Sequence, residues 1–86
     1  MPYVYIVECA DGSLYTGWAL NVEQRVKVHN AGRGARYTRM HGPVRLVYAE
    51  EQPDRVAALK RELEIKRWPR EKKLKLIRER GAENRD

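Results

Sequence analysis

The 86-residue sequence contains one cysteine, no phenylalanine and no long apolar run. A single cysteine cannot form an internal disulfide, and no Cys/His cluster has zinc-ligand spacing. The fold must therefore rest on a hydrophobic core in a reducing compartment, with Cys9 a small buried hydrophobe. No segment approaches the roughly 20 apolar residues of a membrane span, and the amino terminus has neither the basic start nor the apolar stretch of a signal peptide. These absences predict a cytoplasmic protein with no membrane partner. Internal repeats and low-complexity linkers are also missing, so the chain reads as a single domain over residues 1–80 with a frayed tail over 81–86. A domain of this size buries only about 60% of the surface its unfolded chain exposes, which leaves no room for a second core.

What the sequence has in quantity is positive charge: 18 Lys and Arg against 12 Asp and Glu, for a net +6. The charge is concentrated in two blocks, with +5 over residues 21–48 and +6 over residues 54–80. Between them lies the acidic step Glu50-Glu51. A balance of this kind favours a polyanionic partner through counterion release, although solvated helix faces explain it equally well.

Tyr3 to Cys9 is a run of β-branched and aromatic residues that ends in turn chemistry at Ala10-Asp11-Gly12, and Ser13 to Ala19 resumes its character. The pair reads as a β-hairpin. Asn21 then caps a helix, with Gln24 at its third position, that runs through Val22, Val26 and His29 to Gly32. Residues 32–39 form a basic, glycine-punctuated loop. Val44 to Ala49 is a third strand. Pro53-Asp54 opens a second helix that runs to Trp68, Pro69 breaks it, and a third helix extends from Arg70 to Arg80, stopped by Gly81.

Several side chains stand out. Arg25 and His29 lie one turn apart on the first helix and pair a fixed cation with a titratable group, though a surface arginine near a half-buried histidine is the ordinary explanation. Glu62 falls between Leu59 on one side and Ala58 and Ile65 on the other, inside the arc that should face the core. A carboxylate there needs a cation, a hydrogen-bond donor or a metal ion, and Lys66 is a candidate partner. Glu64 falls on the polar side, where Lys60 suffices as a partner. Tyr5 and Tyr15 can share a face only if the hairpin loop is odd. A two- or four-residue loop pairs Cys9 with Leu14 and separates the phenols, whereas a three-residue loop with Gly12 left-handed pairs Val7 with Tyr15 and unites them. Gly17 inside the second strand implies a close approach of backbone or substrate. Gly32-x-Gly34 with Arg36, Tyr37, Thr38 and Arg39 can wrap a phosphate, but it matches no nucleotide-binding loop.

These residues, in order, resemble the GIY-YIG nucleases, in particular their small single-domain bacterial branch. Tyr3-Val4-Tyr5 would be the first signature triplet and Tyr15-Thr16-Gly17 the second. Asn21 to Arg25-x-x-x-His29-Asn30 matches the family's first helix, Gly32 to Arg39 is typical of the small branch, and Ala58-Leu59-x-x-Glu62 with Ile65-Lys66 resembles the helix bearing the family's carboxylate. Tyr3 and Thr16 depart from the glycine and isoleucine of the triplets. The asparagines are confined to Asn21, Asn30 and Asn84, so a phosphate contact that some relatives make near the domain's end has no obvious counterpart.

The resemblance implies an α+β, α/β sandwich-like fold: a three-stranded, mainly antiparallel sheet flanked by three or more helices. It implies one-step hydrolysis of a phosphodiester by a divalent-metal-dependent endonuclease, with Glu62 holding one Mg2+ or Mn2+ ion. Arg25 would neutralise transition-state charge, Tyr5 would activate the water with His29 as proton acceptor, and Tyr15 would orient water or phosphate. Arg33, Arg36, Tyr37, Arg39 and Lys66 would contact the nucleic acid. The implied partner is DNA, branched or single-stranded structures included and RNA left open, with low sequence specificity, in repair or recombination and with room for a protein partner. Two other readings remain: a module of the same fold that grips nucleic acid without cutting it, and an interaction protein whose basic helix from Arg70 to Arg80 docks on an acidic partner.

Overall fold

The computed structural model describes residues 1–33 and 41–84, with backbone alone for residues 81–84. Three strands, β1 (Tyr3–Cys9), β2 (Leu14–Ala19) and β3 (Val44–Glu51), form one antiparallel sheet in the order β2-β1-β3. Among the described residues three helices pack on it: α1 (Val22–Asn30), α2 (Arg55–Lys66) and α3 (Arg70–Asn84). This is the expected α+β architecture.

The central strand is apolar on both sides because both of its faces are covered. Val4 and Ile6 join Val47, Tyr48, Ala58 and Ile65 in a core beneath α2 and α3. Tyr5, Val7 and Cys9 join Ala19, Val22 and Val44 in a second core beneath α1, which corrects the expectation of a single core: helices cover both faces of the sheet, so each face carries its own apolar layer. Alternation along β1 therefore sends successive side chains into different cores.

The hairpin loop is odd. Val7 pairs with Tyr15 and Tyr5 with Gly17, while Cys9 N donates to Ser13 O and Gly12, at φ +86°, donates back to Cys9 O. Asp11 stiffens the turn by accepting from Ser13 N and Oγ at 3.0 and 2.6 Å. The predicted cap forms at Asn21, whose Oδ1 accepts from Gln24 N at 3.0 Å, and Asp54, at the predicted opening of α2, caps it by accepting from Ala57 N at 2.8 Å. Gly32, at φ +77°, ends α1 as expected.

Four further expectations need correction. β3 extends to Glu51 and carries a bulge where Ile6 pairs with Tyr48 but Val7 with Leu46. The extra residue, Val47, turns Tyr48 to the face opposite Val44, which simple alternation would have kept together. α3 continues through Gly81 to Asn84, so residues 81–84 are helix rather than tail; a glycine near a helix end costs only about 1 kcal/mol relative to alanine. Leu59 is 48% exposed rather than core-facing, and α2 buries Ala58, Glu62 and Ile65 instead. Glu64 pairs with Arg61 at 2.7 Å rather than with Lys60, because Arg61 is held over that side of the helix by Glu50 on β3 at 2.5 Å.

Candidate active site

β2 is an edge strand, so helices on opposite faces of the sheet can meet beyond it. α1 lies on the face bearing Tyr5 and Tyr15, and α2 lies on the other. Tyr5 is 1% and His29 3% exposed, and the phenol oxygen stands 2.9 Å from His29 Nε2 in a buried hydrogen bond. Tyr15 meets the same imidazole edge-on, with ring centroids 5.5 Å apart. The room for this arrangement comes from Gly17. A Cβ there would lie 2.6 Å from the Tyr5 hydroxyl and 2.8 Å from Cζ, so the close approach implied by a glycine in the strand is the Tyr5 ring itself.

Glu62 reaches the edge from α2. It is 9% exposed, and its Oε2 stands 3.7 Å from Lys66 Nζ, the expected partner one turn on. Lys66 Nζ also lies 5.8 Å from the centre of the Tyr15 ring. Lys73 of α3 lies within the field of Lys66, and burial together with that cation lowers its pKa. Lys73 was not singled out in the sequence, because the break at Pro69 hides where α3 stands relative to Lys66.

The electrostatics couple these groups. Burial raises the pKa of Tyr5 strongly, with Tyr15 and Glu62 adding to the rise and Arg25 opposing it. Tyr15 is raised by burial and Glu62 and lowered by Arg25. His29 is pushed below its ordinary value by burial and then by Arg25. A neutral imidazole therefore faces a protonated phenol at neutral pH. With the proton on Nδ1, His29 Nε2 accepts from Tyr5 and leaves the phenol oxygen able to take a proton from elsewhere.

Tyr5, Tyr15, Arg25, His29, Glu62 and Lys66 are thus brought to one edge of the sheet. Arg33 follows Gly32 past the end of α1, where its N donates to Val28 O at 3.1 Å, and no contact joins its exposed side chain to this group among the described residues. Arg36, Tyr37 and Arg39 lie outside the described residues. Asn30 is occupied structurally, accepting from Val44 N at 2.7 Å and donating to Val44 O at 3.1 Å.

Among the described residues no group of three or more His, Cys, Asp or Glu side chains is placed to hold a metal ion. Glu62 nonetheless offers a hard carboxylate whose only ion pair among the described residues is a long one, which fits a single, mostly hydrated Mg2+ or Mn2+ ion completed by substrate oxygens. No helix of the described residues is long and apolar enough to cross a membrane.

Comparison with known proteins agrees with this fold. A UPF0213 protein of Staphylococcus aureus (strain Mu3) is 58% identical over 78 residues, covering 91% of this chain and 95% of its own. The solution structure of a UPF0213 protein from Bacillus halodurans is 46% identical, covers 94% of this chain and 87% of that one, and superimposes with a TM-score of 0.61. A solution structure from E. faecalis is 36% identical over 88% of this chain and 81% of its own, with a TM-score of 0.59. The family described as the GIY-YIG catalytic domain matches residues 1–75, the span that holds both triplets, His29 and Glu62, and the chain belongs to this nuclease family.

Proposed function

We propose that the protein is a divalent-metal-dependent endonuclease that hydrolyses DNA phosphodiester bonds with low sequence specificity, in repair or recombination, and that residues 1–80 form its single catalytic domain. The observation that carries this reading is the buried 2.9 Å bond between Tyr5 and His29, set within reach of the fields of Arg25 and Glu62. A buried phenol needs a hydrogen-bond partner of some kind, and an imidazole is one that can also take a proton, the outlet that a phenol needs if it is to accept a proton at neutral pH.

In this mechanism Tyr5 takes a proton from the attacking water as it passes its own to His29 Nε2. The imidazolium later returns that proton to solvent. Tyr15 orients the water or the phosphate, and Arg25 stabilises the negative charge that develops on the phosphoryl oxygens. Lys66 and Lys73 supply further positive charge beside the phosphate. Glu62 would hold the divalent ion, and such an ion supplies Lewis-acid stabilisation of the phosphoryl and leaving oxygens.

A second reading, a nucleic-acid-binding module that does not cut, draws support from Lys66 standing where it neutralises Glu62. Incubation of purified protein with branched, nicked and single-stranded DNA, with Mn2+ or with chelator, separates the two. The nuclease reading expects metal-dependent nicks that fall at least about 100-fold in Glu62→Ala, Arg25→Ala and Tyr5→Phe while DNA binding persists. Unchanged cleavage by Glu62→Ala would refute it, and binding without cleavage of any substrate would favour the module.

A further inference from the structure

A cleft of about 420 Å³ opens between the end of β2 and the first turns of α1 and α2, lined by Trp18, Leu20, Asn21, Gln24, Arg25 and Arg55. Its volume lies in the range of about 300–1,000 Å³ typical of small-ligand sites. Its wall is chemically mixed. Trp18 is half-buried, backed by the core that contains Val4 and Ala58, and exposed Leu20 extends the apolar surface. Arg25 and Arg55 are both exposed, and neither takes part in any ion pair among the described residues. The amino-terminal turns of two helices add their partial positive charge.

We infer that this cleft seats an unpaired nucleotide of the DNA substrate, adjoining the phosphodiester to be cut, with its base against Trp18 and a phosphate between Arg25 and Arg55. The inference rests on the nuclease reading above for the identity of the adjoining bond. An indole beside two exposed guanidiniums suits a ligand that is flat and uncharged at one end and anionic at the other. A free phosphate would leave the indole unused, and an apolar molecule would leave two cations without a counter-charge. Arg25 links the two regions, because it lines the cleft and its field also reaches Tyr5, Tyr15 and His29. A base within a duplex keeps its faces stacked on its neighbours and cannot lie on Trp18. The cleft therefore selects substrates with an unpaired nucleotide at the cut, such as flaps, branches or single strands.

The test is a binding experiment in chelator, where cleavage plays no part. A short oligothymidylate is titrated into the protein, followed by tryptophan fluorescence and by anisotropy of a labelled strand, beside a blunt-ended duplex of two complementary strands and an abasic oligonucleotide of equal length. The expected result is quenching by oligothymidylate that survives Trp68→Phe and disappears in Trp18→Phe, with little quenching by the duplex or the abasic strand. Arg55→Ala, an exposed position that leaves both cores intact, is expected to weaken oligothymidylate binding about 3- to 10-fold. Trp18→Ala is expected to weaken it about 5- to 100-fold, the effect of losing one stacked base. Quenching that resides in Trp68, equal quenching by the blunt-ended duplex, or unchanged affinity in Arg55→Ala would overturn the inference. Failure of the nuclease reading would show separately, as Trp18 quenching in a protein that cuts nothing.

Discussion

At Gly17 the chain has no room for a methyl group, since a Cβ would sit against the hydroxyl end of Tyr5. Gly17→Ala is expected to displace that ring, break its bond to His29 and cost about 1–3 kcal/mol of stability. Cleavage should fall as far as in Tyr5→Phe, and comparison of the two variants in one nicking assay checks it. Thr16, on the opposite face of β2, behaves in the reverse way: its buried Oγ1 has no hydrogen-bond partner among the described residues. A hydroxyl desolvated without compensation lowers stability, so Thr16→Val is expected to add about 1 kcal/mol and raise the melting temperature by about 4–8 °C, as scanning calorimetry would show. Both residues belong to the second signature triplet, yet one is set by the active site and the other carries an avoidable cost.

Among the elements, the contacts that position the site are polar clamps. Asn30 closes the end of α1 onto the start of β3 through two hydrogen bonds with Val44. Glu50 on β3 accepts from Tyr48, from Gln52 and from Arg61 of α2, and Arg61 in turn covers Trp68, whose ring also lies 4.2 Å from Lys72 Nζ. Asn30→Ala is expected to destabilise the fold by about 2 kcal/mol, read as a lower urea midpoint at unchanged slope. Cap residues, strand runs and helix breaks were legible in the sequence because each acts within four or five residues of chain. Asn21, Asp54, Gly12 and Gly32 all do what their types and positions imply. The bulge at Val47 was not legible, since it depends on fitting Tyr48 into the core beneath α2 and α3 rather than on any local signal. The exposure of Leu59 was hidden for the same reason: periodicity gives an apolar arc, but the neighbouring elements decide which part of it is covered.

For the whole molecule, the titration of His29 links stability to the state of the site. Its folded pKa lies below the ordinary 6.5, so between the two values the unfolded chain binds the extra proton. The stability associated with the neutral imidazole is fully present above about pH 6.5 and is lost as pH falls toward the lowered value. Denaturation across the acid range is expected to show this slope in the native sequence and its reduction in His29→Gln. Cleavage should fail over the same acid range, because a protonated Nε2 cannot accept from Tyr5. A kcat/KM profile whose acid limb lies below pH 6.5 is the expected outcome, and an acid limb above it would contradict the relay.

The sequence by itself determined the elements, their caps, the cationic balance and the inventory of reactive groups, since these follow from short-range backbone preferences and from composition. It also restricted the tyrosine pair to a single condition, an odd hairpin loop. Only the tertiary structure decided that this condition is met, that α1 and α2 flank an exposed strand edge from opposite faces, and that Glu62 and Lys66 arrive there beside Tyr5, Tyr15 and His29. The cleft of Trp18 and Arg55 belongs to the same class, joining residues 37 positions apart. Such juxtapositions depend on how two helices pack across a sheet, a balance of core volume and long-range contacts that no stretch of sequence contains.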